Sequence, residues 1–144
     1  MSEWTFNGEP FIEAPKGYEG FVYLIAELDT GRKYIGKKFF FTRRKPAKTK
    51  KNADTKRRRV TKEGDWRNYW SSSDIIKESV AEKGEDNYTR EILVICKTMG
   101  DTNYMEIKML YEYNVLENVD YINESIGPRR GAPQDTIDAR RYST

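Results

Sequence analysis

In the helical stretch TNYMEIKMLYEY, Glu106 falls within about 60° of Met109, Leu110 and Tyr113 around the helix axis, so a carboxylate shares the apolar stripe. Burying an ionised carboxylate is costly unless it is paired or binds a cation, which makes this acid more suggestive than any exposed one. The alternative is an acid at the stripe's edge whose head reaches water. A second group lies in GFVYLIAELDTGRKYIGKKF, where Tyr23 and Tyr34 sit close to Lys37 and Lys38. Tyrosine is common in strands, and a cross-strand pair would stabilise a hairpin. With Lys37 nearby, a phenol whose ordinary pKa is about 10 is also open to being drawn into a usable range.

What is missing sharpens these candidates. The chain has no histidine and one cysteine. A Ser-His-Asp triad, a Cys-His pair, a histidine metal site, an intrachain disulfide and a cysteine-held zinc or iron–sulfur centre are therefore excluded. Acid–base chemistry must use Tyr, Lys, Glu, Asp or water. Cys96, within REILVIC, reads as a small buried apolar residue rather than a reactive thiol.

The formal charge of +3 is unevenly spread. Residues 43 to 59, RRKPAKTKKNADTKRRR, hold ten Lys or Arg against one Asp, a local +9 that leaves the other 127 residues at −6. Charge of that density on a loop fits salt-dependent contact with phosphates. The plainer alternatives are a solvated loop or a localisation signal. Trp66, Tyr69 and Trp70 in DWRNYWSSS follow directly, either to stack on bases or to anchor the loop in the core.

The elements that must position these groups follow from patterning. A length of 144 residues suits one domain with a modest core. Residues 1–19, with two prolines and no clear period, read as an N-terminal arm lying on that domain. Residues 20–28, the turn Asp29-Thr30-Gly31 and a strand from about Arg32 to Phe41 make an antiparallel hairpin. A basic insert, 43–64, follows. A helix begins at SSSDIIKESVAEKG, with Ser73 as N-cap, Ile75, Ile76 and Val80 facing inward, and Gly84 ending it. YTREILVIC, 88–96, is a third strand, and a second helix runs from about Thr102 to Tyr113, capped by Asp101. Residues 127–144 form an extended tail. The order β-β-α-β-α predicts an α+β fold: a small three-stranded antiparallel sheet flanked by helices. The longest apolar stretch falls far short of the roughly 18 to 20 residues a membrane span requires, and the N-terminus lacks the pattern of a signal peptide, which points to the cytoplasm.

The stretch FVY, eleven residues from Tyr23 to Tyr34, and then YIGKK resembles the GIY-YIG nuclease family, with Phe21 where that family has glycine. Arg44 stands ten residues beyond Tyr34, where the family carries its arginine. Glu106 in a late helix and Asn123 in DYINES complete the pattern. The resemblance covers residues 20–126. With the basic insert and DW..YW.SS, it is nearest to small stand-alone bacteriophage endonucleases, homing enzymes among them, which would place the protein in the host cytoplasm.

The resemblance implies a metal-dependent endonuclease acting on double-stranded DNA, with Mg²⁺ or Mn²⁺ held by Glu106 on the scissile phosphate. Arg44 would contact the non-bridging oxygens, and Tyr23, assisted by Tyr34 and Lys37, would deprotonate or orient the attacking water. Asn123 would support the site by hydrogen bonding. In many relatives a histidine follows the arginine; here its role must fall to a tyrosine, Lys37 or water. Backbone contacts would come from Lys38, Arg43, Lys45, Lys48, Lys50, Lys51, Lys56, Arg57, Arg58, Arg59, Arg129 and Arg130, with Trp66 stacking on bases. No membrane is expected as a partner, and the choice between a monomer and a homodimer stays open. The rival is a non-catalytic DNA-binding protein that keeps the nuclease fold.

Overall fold

The computed structural model describes residues 3–44, 60–123, 125–126 and 129–130, with Arg43, Arg44, Val60, Thr61 and the residues after 123 described by backbone alone. In chain order the strands are β1 (Trp4–Phe6), β2 (Glu9–Pro10), β3 (Gly20–Glu27), β4 (Lys33–Phe39), β5 (Phe41–Arg44), β6 (Val60–Glu63), β7 (Tyr88–Cys96), β8 (Ser125–Ile126) and β9 (Arg129–Arg130). The helices are α1 (Asp74–Lys83) and α2 (Met99–Glu112).

The main sheet has five strands in the order β2-β1-β7-β3-β4, not three. The added pair comes from the segment expected to lie outside the sheet as an arm. β1 runs parallel to β7, with Thr5 opposite Glu91, while the other neighbouring strands of the sheet pair antiparallel, so the sheet is mixed. Pro10 sits on the edge strand β2, where its missing N–H leaves no ladder bond unmade. Trp4 anchors the pair: its ring is buried, and its indole N–H donates to the Trp66 carbonyl at 2.8 Å.

β3 lies between β7 and β4 and is buried on both faces, which explains its nearly unbroken apolar run. Alternation sends Phe21, Tyr23 and Ile25 to one face, where Trp4, Phe40, Trp66 and Ile76 of α1 meet them. Val22 and Leu24 point to the other face, against Leu110, Met105 and Met109 of α2. β7 slips by one residue between the partners of Val22 and Tyr23, leaving Leu93 as the extra residue of a bulge. In consequence Leu93 and Val94 both serve the α2 face, while Ile92 and Ile95 serve the other.

α1 begins after Ser73, whose hydroxyl accepts from the Ile76 N–H, and ends at Gly84 with φ 90°, as its sequence predicts. Ile75, expected inward, is exposed, and Ile76 alone of that pair is fully buried. α2 starts one turn earlier than expected: the Thr98 hydroxyl caps it by accepting from the Asp101 N–H at 2.9 Å, and Asp101 lies in the first turn. The expected long second strand is two strands: β4 ends at Phe39, and after the buried Phe40 the chain enters β5, paired antiparallel with β6. The basic segment thus joins the strands of a second hairpin, with residues 45–59 outside the described residues.

Candidate active site

β4 is an edge strand, and its alternation decides where each candidate points. Tyr34 and Gly36 lie opposite Ile25 and Tyr23 of β3, on the face that α1 covers, whereas Lys37 lies opposite Val22, on the α2 face. The structure therefore brings the candidates together as two pairs on the two faces of one short stretch of β4.

On the first face the rings of Tyr23 and Tyr34 are 6.3 Å apart. Tyr69 adds a third ring, edge-on to Tyr23 at 6.0 Å, and the Lys38 ammonium lies 4.4 Å over the Tyr69 ring. Gly36 is required by this packing, since a Cβ there would come 2.7 Å from the Tyr23 Cζ. Phe21, at the family's glycine position, is fully buried and packs against Trp4, Phe40 and Trp66, so the departure is absorbed by the core.

The Tyr23 hydroxyl is buried and has no hydrogen-bond partner. Burial raises its pKa well above the ordinary 10, and Tyr69, Tyr34 and Glu106 add to the rise. Tyr69 is close enough to oppose ionisation, although no hydrogen bond of ordinary geometry joins the two hydroxyls. Tyr34 is half-buried, its hydroxyl 3.2 Å from the Ser72 Oγ, and burial raises its pKa as well. These shifts are opposite to the expectation that Lys37 would draw a phenol down. Desolvation is the largest cause in both, and the Lys37 ammonium is engaged on the other face.

There Lys37 Nζ meets Glu106 Oε1 at 3.4 Å, with 34% and 22% of the two side chains exposed. Glu106 thus does sit on the packed side of α2, held by a cation. Its charge reaches both Tyr23 and Tyr34, which connects the two pairs electrostatically. Asn123 clamps the same strand: its Nδ2 donates to the Ile35 carbonyl at 2.7 Å and its Oδ1 accepts from the Ile35 N–H at 3.0 Å. Residues 120–122 extend this pairing, with Lys33 N–H donating to Asp120 O and Ile122 N–H to Lys33 O. Asn123 therefore fixes the strand that carries Tyr34 and Lys37 without touching either side chain's functional group.

Among the described residues no group of three His, Cys, Asp or Glu side chains is placed to hold a metal. A lone carboxylate still fits Mg²⁺, which keeps several waters and binds through one or two carboxylates plus substrate phosphate. The ammonium beside Glu106 marks a position that already accepts positive charge.

Of the expected DNA contacts, Lys38 is described and lies beside the tyrosines. The backbones of Arg43 and Arg44 are in β5, with Arg44 opposite Val60, and those of Arg129 and Arg130 form β9. Their side chains, and Lys45, Lys48, Lys50, Lys51, Lys56, Arg57, Arg58 and Arg59, lie outside the described residues. Trp66 is corrected: it is 0% exposed, enclosed by Phe11, Phe21 and Phe40, and has no face to offer a base. Tyr69 and Trp70 are only partly buried.

Arg90 escaped the sequence reading. It is buried, lies between the rings of Trp4 and Trp70 at 4.7 and 4.3 Å, and donates through Nη1 to the carbonyls of Arg67 and Tyr69. Burial lowers its pKa to about 10, so it stays charged at neutral pH. It holds the loop that presents Tyr69, and the only hint in the sequence is a cation within the apolar alternation of YTREILVIC. Burial also pushes the Cys96 thiol up, in keeping with an inert side chain.

Residues 4–126 match a family model described as "Putative endonuclease segE, GIY-YIG domain". Neither the curated proteins nor the solved structures contain a match to the chain.

Proposed function

Because the chain belongs to the GIY-YIG endonuclease family, we propose that it hydrolyses DNA phosphodiester bonds with a divalent cation, Mg²⁺ or Mn²⁺, held at Glu106. The observation that supports this most is the placement of Tyr23 with Tyr34 and of Lys37 with Glu106 on the two faces of residues 34–37. A phosphodiester lying along that edge of β4 would meet Tyr34, Lys37 and Glu106, with the buried Tyr23 behind Tyr34. A cation bound at Glu106 supplies charge that offsets the negative charge developing on the phosphate and the leaving 3′ oxygen.

The rest is work for the chain's own residues. Lys37, once released from Glu106, directs its ammonium to the phosphate oxygens. Tyr34 holds the attacking water from its half-buried hydroxyl, and the Tyr23 hydroxyl, buried in the free protein, joins it once bound DNA uncovers it. Their raised pKa values keep both phenols neutral at pH 7, so they orient the water and its proton passes to solvent. Arg44, at the end of β5, forks onto the non-bridging oxygens, and the basic insert holds the duplex by its backbone.

Incubation of purified protein with supercoiled plasmid tests this reading. Nicked or linear product should form with Mg²⁺ or Mn²⁺ and disappear with chelator. Intact plasmid across a range of salt and metals, with DNA binding retained, would instead favour a DNA-binding protein without turnover.

A further inference from the structure

Beside the tyrosines lies an open cleft of about 470 Å³ that the proposed chemistry does not use. Tyr69 and Lys38 are the shared wall: Tyr69 packs on Tyr23 on one side and lines the cavity on the other. Trp70 forms a second aromatic wall, fixed by its indole N–H to Glu85 Oε1 at 3.1 Å and by the Arg90 guanidinium over its ring. Asp65 and Asn68 face the cavity as a joined pair, Asn68 Nδ2 donating to Asp65 Oδ1 at 3.0 Å. α1 closes the far side with Lys77, Val80 and Ala81.

The size lies within the usual range for a small-molecule site, and the lining combines flat aromatic walls, two ammonium groups and a hydrogen-bonding edge. A paired base stacked inside a duplex does not reach these walls; an unstacked one can, with its ring against Trp70 and its phosphates toward Lys38 and Lys77. Each carboxylate oxygen has two acceptor sites, so Asp65 can accept further donors while bound to Asn68. Guanine presents two adjacent N–H donors to a carboxylate, whereas thymine presents one.

We propose that this open cleft takes up a single unstacked nucleotide next to the cutting site, with guanine preferred, and so gives the nuclease a base preference at that position. The inference rests on the nuclease reading for its purpose, but not for its binding chemistry. Asp65 and Asn68 are exposed, outside the proposed catalytic set, and replaceable without opening the core.

The test is equilibrium binding, without divalent metal, of trinucleotides whose central residue is guanine, thymine or abasic, to wild type, Asp65→Asn and Asn68→Ala, with circular dichroism confirming the fold of each. Guanine should bind about tenfold more tightly than the abasic form and more tightly than thymine. Both variants should lose the advantage over thymine. Equal binding of guanine and abasic trinucleotides to wild type, or a guanine preference that survives both substitutions, overturns the proposal. Plasmid cutting by wild type is scored separately. Cutting without base-dependent binding removes the pocket and leaves the nuclease; base-dependent binding without cutting does the reverse.

Discussion

At the Tyr23 position the core retains a hydroxyl with no partner, where a phenylalanine ring would leave no polar atom unpaired. A buried unsatisfied polar group costs about 1–3 kcal/mol. Tyr23→Phe should therefore melt at the same temperature as wild type or higher, while plasmid cutting falls by on the order of 10² as the water loses its support. Thermal denaturation and a cutting assay on the same preparation decide the matter; unchanged cutting would reduce Tyr23 to a core residue. Gly36→Ala acts on the same ring from the opposite strand. Its Cβ would press on the Tyr23 ring, and overpacking of this kind costs typically 1–3 kcal/mol, so both stability and activity should drop.

The hairpin of β3 and β4 is tied at its turn by a buried carboxylate, Glu27, that the sequence pattern does not single out. Glu27 is 1% exposed and accepts from Arg32 Nε at 2.9 Å, Ser79 Oγ at 2.6 Å, Tyr88 OH at 2.5 Å and Thr30 Oγ1, with Lys83 Nζ at 3.4 Å. The Arg32 hydrogen bonds lead in holding its carboxyl far below the ordinary range. A depressed folded-state pKa gives stability that is complete above the unfolded value, about 4.3, and is lost as the pH falls below it. Melting temperature should therefore fall with acid below about pH 4.3, and less steeply in Glu27→Gln, which starts lower because Arg32 and Lys83 lose their partner. Parallel slopes for the two proteins would contradict this role. The same element shows what the sequence can and cannot reveal. The alternation of 20–28 and 88–96, the Gly31 turn and the Ser73 cap are local signals, and they are legible. β1 and β2 are three and two residues long, and β1 finds its place only through a parallel partner more than eighty residues away. The burial of Trp66 and the upward shift of Tyr23 depend on that same packing, so neither is visible in DWRNYWSSS or GFVYLIAE.

Across the whole molecule the charge separates into a basic insert and an otherwise acidic body. Residues 45–59 carry eight Lys or Arg and one Asp between β5 and β6. If these cations meet phosphates, replacing the segment with a short Gly-Ser join should weaken DNA binding and flatten its salt dependence. The log–log slope should fall by several units, up to about 7 if every cation contributes. An unchanged slope would move the DNA-binding surface elsewhere. Cutting with the shortened chain should persist at low salt, because Tyr23, Tyr34, Lys37 and Glu106 lie outside the insert. On the proposed reading Glu106, held on the packed face of α2 beside Lys37, carries the cation on which cutting depends. The most direct measurement compares wild type with Glu106→Gln in a Mg²⁺ titration of plasmid cutting, circular dichroism showing equal folding. Cutting by the variant should be lower by on the order of 10² or more at every Mg²⁺ concentration, with DNA binding retained. A variant that cuts as well as wild type would contradict the account.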